Sequence, residues 1–454
     1  MIKKIFIGVL LVLFGLPVGA AEHYILDGGS GDGTSWSSPL DTLPETLTRG
    51  DTYYIGEGAY GSYTFDDAGT TTIYIKKATA TDHGVGADWS DSMGDSAATW
   101  TKWTFETTDY ELDGQVGQWA SDMPDYVAYG FKVFSQNTGD NQEIIESVSG
   151  SDDIVIRHVE AYYSTTPRSG TWYKTGMILA KYGGDFELYY SWLHDGSNGI
   201  YNGYFTSVLF DHCVLERNGQ GQVAMGWDPS EHSEIIGHKA TSACTVRYSH
   251  IRDWRSTGGL IAMDVNSPSL ILYGNVFTET DYWSLPSETN DSNGVINGLG
   301  ESSGITILAY NNTFVDISYG ASIATVGSYA SRIVTNNIFH NCERYNYGTP
   351  STLSIGGTHT YNRFYDVIGD FSGETGYEAG NVDEFVNKTN DDFHLSEATG
   401  EGDVTIGATY NTDMDGVTRG ADGVWDRGAY EYDAGGGEPS IIKKIMTFFR
   451  RLRG

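Results

Sequence analysis

Seven positions spaced along the middle of the chain form a series of side chains, nearly all of which can do chemistry: Asp195, Arg217, Asp253, Glu279, Asp316, Asn341 and Asp366. Carboxylates in such a series can act as acid and base or hold a cation. Arg217, between Asp195 and Asp253, can pair with both or orient an anionic ligand. Asp195 and Asp253 are two repeats apart. At strand spacing that is roughly 10 Å, close to the separation of the two carboxylates in an inverting glycosidase. Asp and Asn also open turns well, so the same series is what a row of structural bends would use.

A second set lies in Trp227–Lys239, which gathers Asp228, Glu231, His232, Glu234, His238 and Lys239. Lys239, Arg217, Arg252 and Arg255 are basic residues in and around it, and Asp228 and Asp264 are carboxylates. The alternative is a solvated loop. The third set is aromatic: Trp172, Tyr201, Trp227, Trp254, Tyr282 and Trp283. In a row they make a platform for sugar rings, whose C–H faces are apolar; packing of loops is the competing account. The fourth is Asn411-Thr-Asp413-Met-Asp415-Gly416 with Asp422, which fits the spacing of a calcium-binding loop. It lacks flanking helices and lies in a cap-like segment, so a structural Asx-turn is the favoured account.

What positions these groups is a repeated phrase: an alternating apolar strand, then a small polar residue, then one more apolar residue two positions on. Aligned on the small residue, the copies fall at 159, 191, 213, 249, 275, 312, 337 and 362. Spacings of 22 to 37 residues mark a solenoid, and period-two alternation marks its strands. Four copies in succession place Asn275, Asn312, Asn337 and Asn362 at the same point. Stacked amides bond from layer to layer, and Asn tolerates the left-handed backbone of a sharp bend.

This series resembles the asparagine ladder of the right-handed parallel β-helix, the fold of the pectate-lyase-like superfamily. The resemblance implies an all-β solenoid and a substrate groove along a second strand after each ladder bend. Those strands are read here as Met177–Leu179, Gly199–Tyr201, Gln222–Met225, Gly259–Met263, Val295–Asn297, Ala321–Ala324 and Thr352–Ile355. It also implies a polysaccharide ligand, processed by a glycoside hydrolase or by a lyase that commonly uses Ca²⁺. No motif residue of either class transfers to this sequence. The outward positions of that strand, read as Leu179, Tyr201, Ala224, Ala262, Asn297 and Ala324, hold no carboxylate. That favours the alternative, a non-catalytic cell-surface glycan-binding or adhesin protein.

The remaining divisions follow from composition. Residues 1–21 have the basic start, short apolar run and small residues of a signal peptide, which implies a secreted or cell-surface protein. Residues 22–432 form the β-helix, with 22–60 as an N-terminal cap including a short helix over Asp41–Leu47, the clearest repeats over 150–370, and 380–432 as a C-terminal cap. Residues 433–440 are a linker, and Ile441–Gly454 makes a basic amphipathic helix suited to a membrane surface. Of the 27 Lys and Arg, two lie in the signal and five in the last fifteen residues, leaving twenty against 60 acidic residues. A body that acidic repels nucleic acid and other polyanions unless a cation bridges them. Three cysteines argue against a disulfide framework, and the spacing of Cys213 and Cys244 forbids a bridge between them. Phosphate-loop, HExxH, GxSxG and Cys/His zinc spacings are absent from the sequence.

Overall fold

The computed structural model describes residues 20–117, 128–135, 143–163, 177–196, 199–203, 206–218, 234–238, 243–254, 261–264, 269–278, 296–299, 306–317, 331–342, 344–346, 349–351 and 357–432. The signal segment up to residue 19, the linker and the basic tail lie outside them, as do Trp172, Trp227, Asp228, Lys239, Tyr282 and Trp283. Three sheets of twelve, eight and twelve strands run the length of the body, and neighbouring strands within each are parallel. The chain is a parallel β-helix. Each full coil gives one strand to each sheet; one coil reads Asp185–Tyr189 in sheet one, Trp192–His194 in sheet three and Gly199–Gly203 in sheet two.

The sequence reading merged two of these strands. The apolar anchor after each ladder residue is itself a strand of sheet three, so the groove-side strand is the third of the coil. Its placement also shifts in one coil. There the sheet-two strand is Glu234–His238, inside the stretch read as a loop, and Ile235, Ile236 and Gly237 are buried. The Gln222–Met225 segment lies outside the described residues.

The ladder is present and continuous. Nδ2 of Asn275, Asn312 and Asn337 donates to Oδ1 of the next Asn at 2.9, 3.0 and 3.0 Å. Each Oδ1 also accepts the backbone N–H of the preceding ladder residue, at 2.8 to 3.1 Å. Ser249 and Ser191 continue the pattern upstream through their hydroxyls. Glu374 ends it, accepting from both N and Nδ2 of Asn362 at 2.8 and 2.9 Å.

One detail differs from expectation. The left-handed residue is not the Asn but the one before it: His158, Tyr190, His212, Tyr248, Gly274, Asn311, Asn336 and Tyr361 have φ between 49° and 64°. The ladder residue has to send its amide inward along the axis, so its predecessor makes the turn. Left-handed backbone costs a bulky residue about 1–2 kcal/mol. Here the rings of His158, Tyr190, His212 and Tyr248 stack in sequence at 5.3, 4.9 and 5.1 Å, which offsets part of that cost.

Inside the coil, Phe277, Phe314, Phe339 and Phe364 stack at 4.7, 4.9 and 5.4 Å, and Phe371 closes the column at 4.4 Å. The spacing follows from the strand separation of about 4.8 Å. Cys213, Cys244 and Cys342 are buried free thiols, and burial raises the Cys213 thiol to about 12.

Two further expectations change. Asp41–Leu47 forms bends rather than a helix. Pro44 interrupts it, and Leu43 and Leu47 are buried as anchors instead. Residues 380–432 do not simply close the end. They run back along the outer side of sheet three and the ladder bends: Phe385 against His340, Phe393 against His250, Tyr410 against Tyr273 and Tyr310, and Ala429 N to Thr313 Oγ1 at 2.9 Å.

Within this segment His394 is held between Asp392 and Asp415, at 2.6 and 2.7 Å. Burial lowers its pKa, but the two carboxylates outweigh burial and raise it to about 9. A raised histidine contributes fully below its unfolded value of 6.5 and loses that contribution as pH rises through about 9. The expected result is that His394→Asn lowers the melting temperature at pH 6 and that the difference from wild type vanishes by pH 10.

Candidate functional site

The carboxylate column is a column of bends. Asp195, Arg217, Asp253, Asp316, Asn341 and Asp366 all have left-handed backbone, with φ between 45° and 56°. They sit where each coil leaves sheet three, which accounts for the dominance of Asp and Asn. Arg217 is the exception, and its side chain shows why it is tolerated. Nε donates to Asp195 Oδ1 at 2.9 Å, Nη2 to Asp195 Oδ2 at 3.0 Å, and Nη1 to Glu216 Oε1.

Around that pair lies a buried ionic array. His194 Nδ1 is 2.6 Å from Asp195 Oδ2, and its Nε2 is 3.3 Å from Glu160 Oε1. Glu216 is fully buried and accepts from Trp192 Nε1 at 2.8 Å, from Arg217 and from Arg252 Nε. Arg252 continues to Asp391 of the C-terminal segment at 2.7 Å. Burial pushes the Asp195 carboxyl up, but the bonds from His194 and Arg217 prevail and hold it below its ordinary value. Both its oxygens and the Arg217 guanidinium are committed to one another. That geometry suits a structural clamp and not an acid or base, nor an arginine awaiting a sugar carboxylate.

Asp253 is buried in the same column, beside Arg252 and Asp391. Asp264 ends the sheet-two strand Ile261–Asp264 in register with Leu299, on a different side of the coil. Three of the six proposed catalytic residues therefore share one column, one lies apart, and Asp228 and Lys239 are outside the described residues.

Sheet two presents a different surface. One register column reads Tyr63, Trp103, Ile145, Leu179, Tyr201, Ile236, Ile261 and Ile296, and Trp103, Ile145, Ile236 and Ile261 are buried. Leu179 and Tyr201, read as outward from the sequence, belong to this column. The alternate column reads Thr64, Thr104, Glu146, Ala180, Asn202, Gly237, Ala262 and Asn297. It holds small and polar residues with one carboxylate, Glu146, bonded to Lys102 at 2.6 Å. Eight coils at strand spacing make a strip about 34 Å long.

Among the described residues, one group of three carboxylates brings its oxygens within 4.8 Å: Asp152, Asp153 and Asp185, all exposed, at the bend from sheet two to sheet one. Burial and then the charges of Asp152, Asp109 and Asp185 raise the Asp153 carboxyl, as expected for acids crowded together. The chemistry of the set suits a hard cation such as Ca²⁺. The loop Asn411–Asp422 is put together differently. Asp413 accepts from the backbone of Asp415, Val417 and Glu431, Asp415 holds His394, and Asp422 accepts from Val424 N. Its carboxylates close separate turns.

Of the aromatic candidates, the strands place the backbones of Tyr201, in Gly199–Gly203, and Trp254, in His250–Trp254. A stack not anticipated stands on the outer face of sheet three. Phe134 lies on Tyr162 at 5.4 Å, Tyr162 on His194 at 4.8 Å, and His194 on Trp192 at 3.9 Å. Phe134 and Tyr162 are half-buried. The signal was there in the sequence: Phe131-Lys-Val-Phe134 and Val159-Glu-Ala-Tyr162 each put an aromatic at the outward parity of a short strand.

No family model matches the chain, and no curated protein matches it in sequence. Among solved structures it is similar to the crystal structure of pectate lyase Pel9A, at 13% identity and a TM-score of 0.47, covering 91% of this chain and 97% of that one. A likeness of that degree carries nothing about activity. The assignment as a parallel β-helix rests on the pairing of the three sheets.

Proposed function

We propose that this is an extracellular glycan-binding β-helix that holds a polysaccharide chain along the outer side of sheet two. The observation behind this is the alternate column of sheet two: small and amide residues in register over eight coils, beside a column in which Trp103, Ile145, Ile236 and Ile261 are buried. An extended, poorly side-chained strip fits a polymer rather than a compact ligand. The acidic body favours a neutral glycan, or an anionic one bridged by a cation. The signal segment supports placement outside the cell, and the basic tail Ile441–Gly454 supports contact with a membrane surface.

The polysaccharide-active reading, hydrolase or lyase, draws on Asp152, Asp153 and Asp185 as a Ca²⁺ set beside the strip. Against it, Asp195 and Arg217 are locked together, and the strip's one carboxylate is paired with Lys102. A glycan array followed by reducing-sugar and unsaturated-uronate assays, with and without Ca²⁺, separates the two. Binding without product is the expected outcome; release of product on any bound glycan would replace binding with catalysis.

A further inference from the structure

The C-terminal segment covers only part of the outer face of sheet three. Its ring contacts reach upstream to His250, through Phe393. Beyond that the face continues through Trp192 and His194, Glu160 and Tyr162, and Lys132 and Phe134. Phe134 and Tyr162 remain half-exposed there, their rings nearly parallel at 11°. Stacking on Tyr162 occupies one face of the Phe134 ring. On the other side, Trp100 of the coil upstream pairs with Val133, and the next residue is the exposed Thr101. Among the described residues the aromatic column therefore ends at Phe134, with Thr101 next in register.

Lys132 and Glu160 stand on the same outward parity, two residues before Phe134 and Tyr162. Lys132 Nζ is 2.5 Å from Glu160 Oε2, and Glu160 Oε1 meets His194. An ammonium has three donors, so the bond to Glu160 leaves two. Two residues along a strand span about 7 Å, the reach of one pyranose ring with its hydroxyls.

We propose that Phe134 and Tyr162, with Lys132 and Glu160 beside them, form a stacking subsite for a neutral pyranose unit of a glycan. The apolar C–H face of the sugar lies on Phe134, and a sugar hydroxyl accepts from Lys132 Nζ, which the buried Glu160 holds in place. The net negative charge of the body disfavours a uronate here. This subsite lies on a different sheet from the strip, so it extends the glycan-binding reading and rests on it.

The test is calorimetric titration of the full chain with neutral β-1,4-linked hexasaccharides of glucose, xylose and mannose, and with hexagalacturonate. Phe134→Leu keeps apolar bulk and removes the ring. It is expected to weaken the bound neutral hexasaccharide at least tenfold at unchanged melting temperature, with Phe134→Trp retaining affinity and Lys132→Met losing a few-fold. Equal affinity of wild type and Phe134→Leu would overturn the subsite while leaving the glycan-binding reading intact. Preference for hexagalacturonate would overturn its neutral specificity. No binding of any hexasaccharide by wild type would remove both. Should Phe134→Leu fail to fold, hydrogen exchange of wild type decides: ligand-dependent protection of Phe131–Ser135 is expected, and its absence refutes the subsite.

Discussion

Asn337→Ala is expected to destabilise the protein by about 4 kcal/mol, a loss large for one substitution. The Asn337 amide donates to Asn362 Oδ1 and Ala309 O at 3.0 Å each, and to Thr335 O at 3.1 Å. Its Oδ1 accepts from Asn312 N and Nδ2 at 2.8 and 3.0 Å. Truncation strands donors and acceptors above and below in a site without solvent, each costing about 1–3 kcal/mol. Asn387, an exposed asparagine on the hairpin of the C-terminal segment, is the control, and its replacement by Ala changes stability by under about 0.5 kcal/mol. Urea unfolding midpoints of the two variants measure the difference. Similar midpoints would mean that the ladder does not bear on stability as argued.

Arg363→Ala is expected to cost about 3–5 kcal/mol, by a different route. Arg363 is buried and meets Glu384 through Nε, Glu378 at 2.6 Å and Glu397 at 2.9 Å. Glu384 is fully buried and also holds His340 Nδ1 at 2.9 Å. Removing the guanidinium leaves a buried carboxylate facing one imidazole, and loosens the C-terminal segment at the place where it turns back along sheet three. Arg363→Met combined with Glu384→Gln removes both charges and should recover most of the loss. A double variant as unstable as Arg363→Ala would point to lost packing instead of a stranded charge.

The architecture was legible because its signals are local and repeated. Asn275, Asn312, Asn337 and Asn362 share one place in a period-two pattern, and only stacking of equivalent positions explains that. The sheet-three strand was less legible. In Trp192–His194 the strand is three residues long and all three are buried, so alternation does not announce it. The bend residue was misplaced by one position because the ladder Asn was expected to be left-handed, whereas the residue before it makes the turn: Gly274, Asn311 or Asn336 in three coils, and tyrosine or histidine in the other five. The course of residues 380–432 was not legible at all, since its partners lie up to 164 residues away, as Tyr248 and Thr412 do. The candidate site was partly legible. The spacing of Asp195, Arg217 and Asp253 placed them in one column, yet the commitment of Asp195 and Arg217 to one another depends on His194 and Glu216, which carry no sequence signal of that role.

Hydrogen exchange of the full chain with and without a bound polysaccharide tests the central claim most directly. The account predicts protection along sheet two, over Ile145–Ser151, Met177–Gly183, Gly199–Gly203 and Glu234–His238, with the ladder side of sheet one unchanged. Protection confined to sheet one or to the C-terminal segment would contradict it.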